Sequence, residues 1–228
     1  DRATATKTRV IGRGDQEIQQ QIVRIDRIDS ARVDGPSSVR LIASIEECLE
    51  SVDALLISDY ENGVISSEIL ERALPRARQR DLVIAVDSHG DLFRFKGVTV
   101  ATPNQPEAEA TLGRAITTRE QLEEAGEELR AGMDAHGVLI TRGSQGMALF
   151  ERDRPPFHLA PTNLREVFDP TGAGDTACAV FTLALLAGSD MAGAAILSNL
   201  AAGEVVKRLG AATLSAEDLE EVMRRAEP

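Results

Sequence analysis

Four short apolar runs, at residues 54–58, 82–87, 98–102 and 138–141, recur along the chain with helical sequence between them. A strand exposed on one face alternates apolar and polar residues, whereas a strand covered on both faces is apolar throughout. Runs of the second kind separated by helices predict a mainly parallel central sheet with helices on both sides, an α/β three-layer fold. Apolar spacing at Val39, Leu41, Ile42, Ile45, Cys48 and Leu49 predicts a helix entered at Ser37 or Ser38. Further helices are expected over 66–80, interrupted by Pro75, and over 105–112 and 118–131. Strands are expected at 147–151 and near 157–160, and beyond Asp169 only helices, over 173–187, 190–208 and 216–226.

Ahead of this core, residues 7–13 and 19–26 alternate apolar and polar side chains on either side of Gly14-Asp15, which reads as an antiparallel strand pair. A polar link over 29–37 follows. The expected organisation is a small β lid or edge pair over 1–30 and an α/β core over 31–228. An exposed pair of this kind suits a lid or a dimer contact. The chain opens on Asp1 rather than Met and enters strand-like sequence almost at once, so an upstream piece is expected to be missing.

A net charge of -12 and a pI near 4.8 exclude a basic nucleic-acid surface. Cys48 and Cys178 both fall in apolar helical patterns, which suits core packing in a reducing compartment rather than a disulfide. His89, His136 and His158 are isolated, without the spacing of a zinc site. With no signal-peptide pattern and no apolar run of membrane-spanning length, a cytoplasmic protein without a membrane partner is expected.

In open parallel sheets, ligands bind beyond the carboxyl ends of the strands. Those ends carry Ser58-Asp59-Tyr60, Asp87-Ser88-His89-Gly90, Thr102-Pro103-Asn104 and Thr141-Arg142-Gly143. To them the sequence adds the turn Asp169-Pro-Thr-Gly-Ala-Gly-Asp175, which opens an apolar helix. Gly172 and Gly174 let the backbone approach a ligand, and the helix start offers unpaired amides to an anion. Asp175 on the same turn is costly beside phosphate unless it takes a proton or faces a metal ion. The spacing Gly172-x-Gly174-x-x-Ala177 fits the dinucleotide fingerprint, but only helices follow, so the required second strand and its acid are lacking. The Walker pattern is absent.

These residues resemble the ribokinase-like (PfkB) sugar kinases. Asp169-Pro-Thr-Gly-Ala-Gly-Asp175 resembles their carboxy-terminal signature, Asn104-Gln-Pro-Glu107 their N-x-x-E motif, and Thr141-Arg-Gly-Ser-Gln-Gly146 their T-x-G-x-x-G motif, in the family's order. Within the family, Leu56-Ile-Ser-Asp-Tyr, Thr102-Pro-Asn and Asn199-x-Ala-Ala-Gly are most similar to the kinase half of the bifunctional heptose 7-phosphate kinase and ADP-heptose synthase. The similarity runs from about residue 7 to residue 222.

The resemblance implies a ribokinase-like fold and phosphorylation of a sugar or sugar phosphate by ATP with Mg²⁺. Asp175 would be the general base, with Gly172, Ala173 and Gly174 as the anion hole. Asn104 and Glu107 would serve the Mg²⁺–phosphate region, acting on the metal through water. Thr141, Gly143 and Gly146 would line the nucleotide phosphates and ribose, with Asn199 and Gly203 near adenine. Arg142 is either a further phosphate ligand or a solvated strand end, and Asp59 either faces the sugar or ends its strand. Asp169 and Gly210 stand where related kinases build a monovalent-cation (K⁺) loop. Lys7, Arg9 and Arg13 lie where heptose kinases contact the sugar phosphate or a partner subunit of a homodimer, and are otherwise a solvated face.

Departures accompany the likeness. The family's opening segment with its Gly-Gly sugar motif is absent from this sequence, and Asn62 and His89 stand where heptose kinases usually carry Lys. The nucleotidyltransferase half is absent too. Another sugar kinase of the family, for ribose, fructose or a hexose phosphate, and a truncated, non-catalytic nucleotide-binding module are the alternatives.

Overall fold

The structure, a computed structural model, describes residues 3–13, 19–162, 169–208, 210 and 212–226. Strands β1 (Thr6–Arg13) and β2 (Gln19–Arg27) form a two-stranded antiparallel sheet of their own. The Gly14-Asp15 connection lies outside the described residues. The main sheet has six strands in sequence order: β3 (Ala54–Asp59), β4 (Val83–Ser88), β5 (Val100–Ala101), β6 (Gly137–Thr141), β7 (Met147–Glu151) and β8 (Phe157–Leu159). β3 to β6 are parallel, and β7 and β8 are antiparallel to their neighbours. The reversal follows from chain length. Only residues 142–146 join β6 to β7, enough for a hairpin and far too few for a parallel crossover.

The helices are α1 (Gly35–Cys48), α2 (Ser67–Gln79), α3 (Gln105–Leu112), α4 (Arg119–Met133), α5 (Ala173–Leu186), α6 (Met191–Val205) and α7 (Ala216–Ala226). Strand periodicity sorts the core into two halves. Ile84, Val86, Val138, Ile140, Ala148 and Phe150 face one side, packed with Leu70, Leu74, Leu122 and Leu129 of α2 and α4. Their neighbours Ala85, Leu139 and Leu149 face the other, packed with Cys178 and Phe181 of α5 and Ala194 and Ala195 of α6. Both faces are therefore covered, which is why these strands are apolar without alternation.

Three local expectations are corrected. α1 begins at Gly35 behind Asp34, without a side-chain cap from either Ser37 or Ser38, because Pro36 is preorganised for a helix's first turn. α2 continues through Pro75, held by the burial of Ala73, Leu74 and Ala77; the missing amide costs one helical bond, and packing outweighs it. Cys48 is exposed while Cys178 is buried, so only the latter is a core residue. Both thiols are free.

Candidate active site

The carboxyl ends of β3, β4, β5 and β6 lie along one edge of the parallel sheet. Asn104 extends that edge, bridging to Thr141 in parallel. Against it stands the N-terminus of α5, whose Asp175 Oδ1 accepts a 2.9 Å hydrogen bond from the Tyr60 hydroxyl. Two segments 115 residues apart thus meet at the acid.

Gly172 occupies the cap of α5 at φ 85°, a left-handed conformation that favours glycine, with no side-chain cap bond. The Ala173 amide donates to the Pro170 carbonyl at 3.2 Å and the Thr176 amide to Gly172 at 2.9 Å. Among the described residues the amides of Gly172, Gly174 and Asp175 have no protein acceptor. The helix start therefore presents donors and its positive dipole end to whatever lies in front of it.

What lies in front is a cavity of about 370 Å³, lined by Thr141, Gly143, Ser144, Gly146, Met147, Pro161, Thr162, Pro170, Ala173, Gly174, Asn199, Ala202, Gly203 and Val206. Four separate segments build it: the β6–β7 hairpin, the residues just after β8, the start of α5 and the second half of α6. The glycines have distinct tasks. A Cβ added at Gly143 or Gly174 would meet no atom within 4 Å, so backbone there fronts open space. A Cβ at Gly146 would come within 1.9 Å of the Leu159 carbonyl oxygen, so that glycine lets β8 pass close to the hairpin. Asn199 is fixed by donating from Nδ2 to the Ala160 carbonyl at 2.7 Å, while its own carbonyl accepts from Thr162 Oγ1 at 3.0 Å.

Arg142 does not line this cavity. Its Nε donates to Gln105 at 3.0 Å and its Nη2 to Gln145, beside Asn104 on the neighbouring surface. Asn104 and Glu107 form a reciprocal capping box on α3: the Asn104 side chain accepts from the Glu107 amide at 2.9 Å, and Glu107 Oε2 accepts from the Asn104 amide at 2.7 Å. Glu107 Oε1 lies 2.5 Å from His89 Nδ1. Both Glu107 oxygens are thus engaged by protein groups, and the residue is only 8 % exposed.

Asp59 is 3 % exposed, with Oδ1 accepting from the Glu61 amide at 2.9 Å and Oδ2 from Arg94 at 3.3 Å. Both oxygens hold protein, so the structure gives it the work of fixing the loop after β3. Asp169 ties two segments, accepting from the Thr171 amide at 2.9 Å and the Gly210 amide at 3.1 Å. Hydrogen bonds from the Thr171 side chain and from those two amides hold its carboxyl below the usual range, with burial opposing.

Sequence reasoning passed over Asp87. Burial pushes its carboxyl up to about 6, the negative fields of Glu107 and Asp175 adding to this and His89 opposing it. Asp87, Glu107 and Asp175 thus lie within one another's fields, although among the described residues no three such groups stand close enough together to hold a metal ion. Asp87 ended an apolar run next to His89, which was the available signal. From the lid, Lys7 Nζ lies 4.9 Å from the Tyr60 ring centre, and the charge of Arg9 acts on Asp169. The side chain of Arg13 lies outside what is described.

An acid on a helix N-terminus, amides without acceptors and an adjoining glycine-lined cavity thus meet at the edge of a parallel α/β sheet, an arrangement suited to an anionic ligand. Residues 4–219 match the pfkB family of carbohydrate kinases, and the chain belongs to that family. The family is one of carbohydrate kinases, a class whose reaction implies ATP and a divalent metal. Among similar proteins, the bifunctional protein HldE of Geobacter metallireducens is 41% identical over 94% of this chain and 43% of its own length. That of Yersinia pestis strain Pestoides F is 38% identical over 98% of this chain and 45% of its own. The chain spans less than half the length of these relatives.

Solved structures share the fold. Phosphofructokinase-2 from Escherichia coli in complex with potassium superposes with a TM-score of 0.75 at 20% identity, over 95% of this chain and 70% of that one. Ribokinase from Arabidopsis thaliana complexed with ribose and ATP gives 0.70 at 18%, over 96% and 69%. The ribokinase-like fold, with an antiparallel hairpin at its start, is thereby established.

Proposed function

We propose that this kinase transfers the γ-phosphoryl group of ATP to a hydroxyl of a sugar phosphate of the heptose 7-phosphate type. The observation that carries the reading is the meeting of Asp175, the α5 amides and the cavity bounded by Thr141, Gly143, Gly146, Asn199 and Gly203. The heptose acceptor rests on the motif resemblance and on the HldE relatives.

ATP would supply the phosphoryl group, and a bound Mg²⁺ would supply charge to neutralise it. Asp175 accepts the proton of the attacking hydroxyl. The amides of Gly172, Gly174 and Asp175 hold charge that develops on the transferred group, whereas Ala173, its amide already given to Pro170, shapes the cavity wall. Thr141, Gly143 and Gly146 take the phosphates and ribose, and Asn199 and Gly203 the base. Asn104 and Glu107 would hold the metal through its water shell. Arg142 positions Gln105 and Gln145 beside them. The Asp169–Gly210 tie forms one side of a K⁺ loop, a reading supported by the potassium complex of the E. coli neighbour. The hairpin, which exposes Val10, Ile11, Val23 and Ile25, closes as a lid and joins a second copy in a homodimer.

The test is a substrate panel with the full gene product, ATP and Mg²⁺, with and without K⁺: heptose 7-phosphate, ribose, fructose and hexose phosphates. Transfer to the heptose phosphate at the highest kcat/KM, stimulated by K⁺, is expected. Preference for another sugar overturns the acceptor. ATP binding by calorimetry without transfer to any sugar overturns the enzymatic reading in favour of a binding module. Light scattering at the mass of one chain contradicts the dimer.

A further inference from the structure

Tyr60 is the only tyrosine in the sequence, which has no tryptophan, and it stands outside every motif role given above. It is 41 % exposed, so core packing does not explain it. Its ring is nevertheless held on three sides. The hydroxyl donates to Asp175 Oδ1 at 2.9 Å. The ring of His89 meets it edge-on, centroids 4.7 Å apart at 62°. Lys7 Nζ of the lid strand β1 sits 4.9 Å from the ring centre, within cation–π range.

The mount is rigid. Tyr60 follows Asp59, whose carboxylate is locked by Arg94 and by the Glu61 amide. The Asp59 carbonyl accepts from the His89 amide at 3.0 Å, which fastens this turn to the end of β4.

We propose that Tyr60 is a positioning residue for the general base, one that also links the base to the lid through Lys7. A carboxylate on the exposed first turn of a helix has several rotamers open to it. A donor fixed on Oδ1 selects one and leaves Oδ2 directed at the acceptor hydroxyl, and orientation of this kind is worth a large factor in rate. Burial, the hydrogen bond to Asp175 and the carboxylate fields of Asp175 and Asp87 push the Tyr60 phenol up to about 12. It therefore remains a donor throughout the neutral range and takes no proton itself.

This inference rests on Asp175 being the base, and the experiment separates the two. In the full enzyme, Tyr60→Phe, which keeps the ring and loses the hydroxyl, is expected to lower kcat roughly tenfold, with the KM for ATP and the melting temperature unchanged. Unchanged kcat, or a loss appearing only in KM or in melting temperature, overturns it. Asp175→Asn with near-normal turnover overturns the base itself instead. A readout free of activity is the difference between the tyrosinate titrations of the parent and Asp175→Ala, in which any other tyrosine of the full enzyme cancels. Tyrosinate absorbance should emerge at lower pH in Asp175→Ala than in the parent, and identical titrations would show that the contact is not made.

Discussion

Two glycine substitutions separate what holds the cavity together from what the cavity holds. Gly146 has φ 82°, and an added Cβ would lie 1.9 Å from the Leu159 carbonyl oxygen. The left-handed backbone alone costs an L-residue about 1–2 kcal/mol, and relieving the collision requires β8 to move. Gly146→Ala should therefore lose about 3 kcal/mol, a fall in melting temperature of about 6–12 °C for a chain of this size. Gly174, in the first turn of α5, has no positive φ and nothing within 4 Å of the added atom. Gly174→Ala should gain about 0.5 kcal/mol from helix propensity and the smaller unfolded-state entropy, while its methyl group intrudes on the space in front of the amides. Thermal unfolding and ATP calorimetry on both variants read the two effects. The expected pattern is Gly146→Ala unstable, and Gly174→Ala as stable as the parent with weakened ATP binding and slower transfer. Equal destabilisation of both, or full ATP binding and turnover in Gly174→Ala, would refute the assignment of their tasks.

Asp87 offers a pH test. Its folded-state pKa of about 6 stands above the ordinary 3.8, so ionisation costs the folded state up to about 3 kcal/mol above pH 6, and the cost disappears as pH falls below 3.8. Asp87→Asn should thus raise the urea midpoint at pH 8 much more than at pH 4, and an equal gain at both would contradict the burial argument. The two thiols should part company under a thiol reagent: Cys48 is exposed, whereas burial pushes Cys178 up to about 12. One label per native chain and two after denaturation are expected; two in the native state would mean that the sheet–α5 packing is wrong.

The elements legible in the sequence were those whose cause is local. Strands buried on both faces announced themselves by unbroken apolar runs, and α3 spans Gln105–Leu112 as expected because Asn104 and Glu107 cap it within four residues. The turn Gly172–Asp175 was readable as a helix start for the same reason. What escaped was set by distance along the chain. The contact of Tyr60 with Asp175 spans 115 residues, and the ion pair that occupies Asp59 spans 35. Nothing near either residue announces its partner. Cys48 fits a helical apolar spacing, yet its side of α1 is exposed because only part of that helix meets α2. The Pro75 reading failed because local propensity is weaker than the packing of Ala73, Leu74 and Ala77. The donation of the Ala173 amide to Pro170 depends on the shape of the turn, which spacing alone does not specify.

The central claim concerns one carboxylate. Asp175→Asn keeps the size and the helix start and removes the proton acceptor, so sugar phosphorylation should fall by roughly 10²–10⁴-fold, while calorimetry returns the ATP affinity of the parent. Turnover within a few-fold of the parent at unchanged ATP affinity would contradict it.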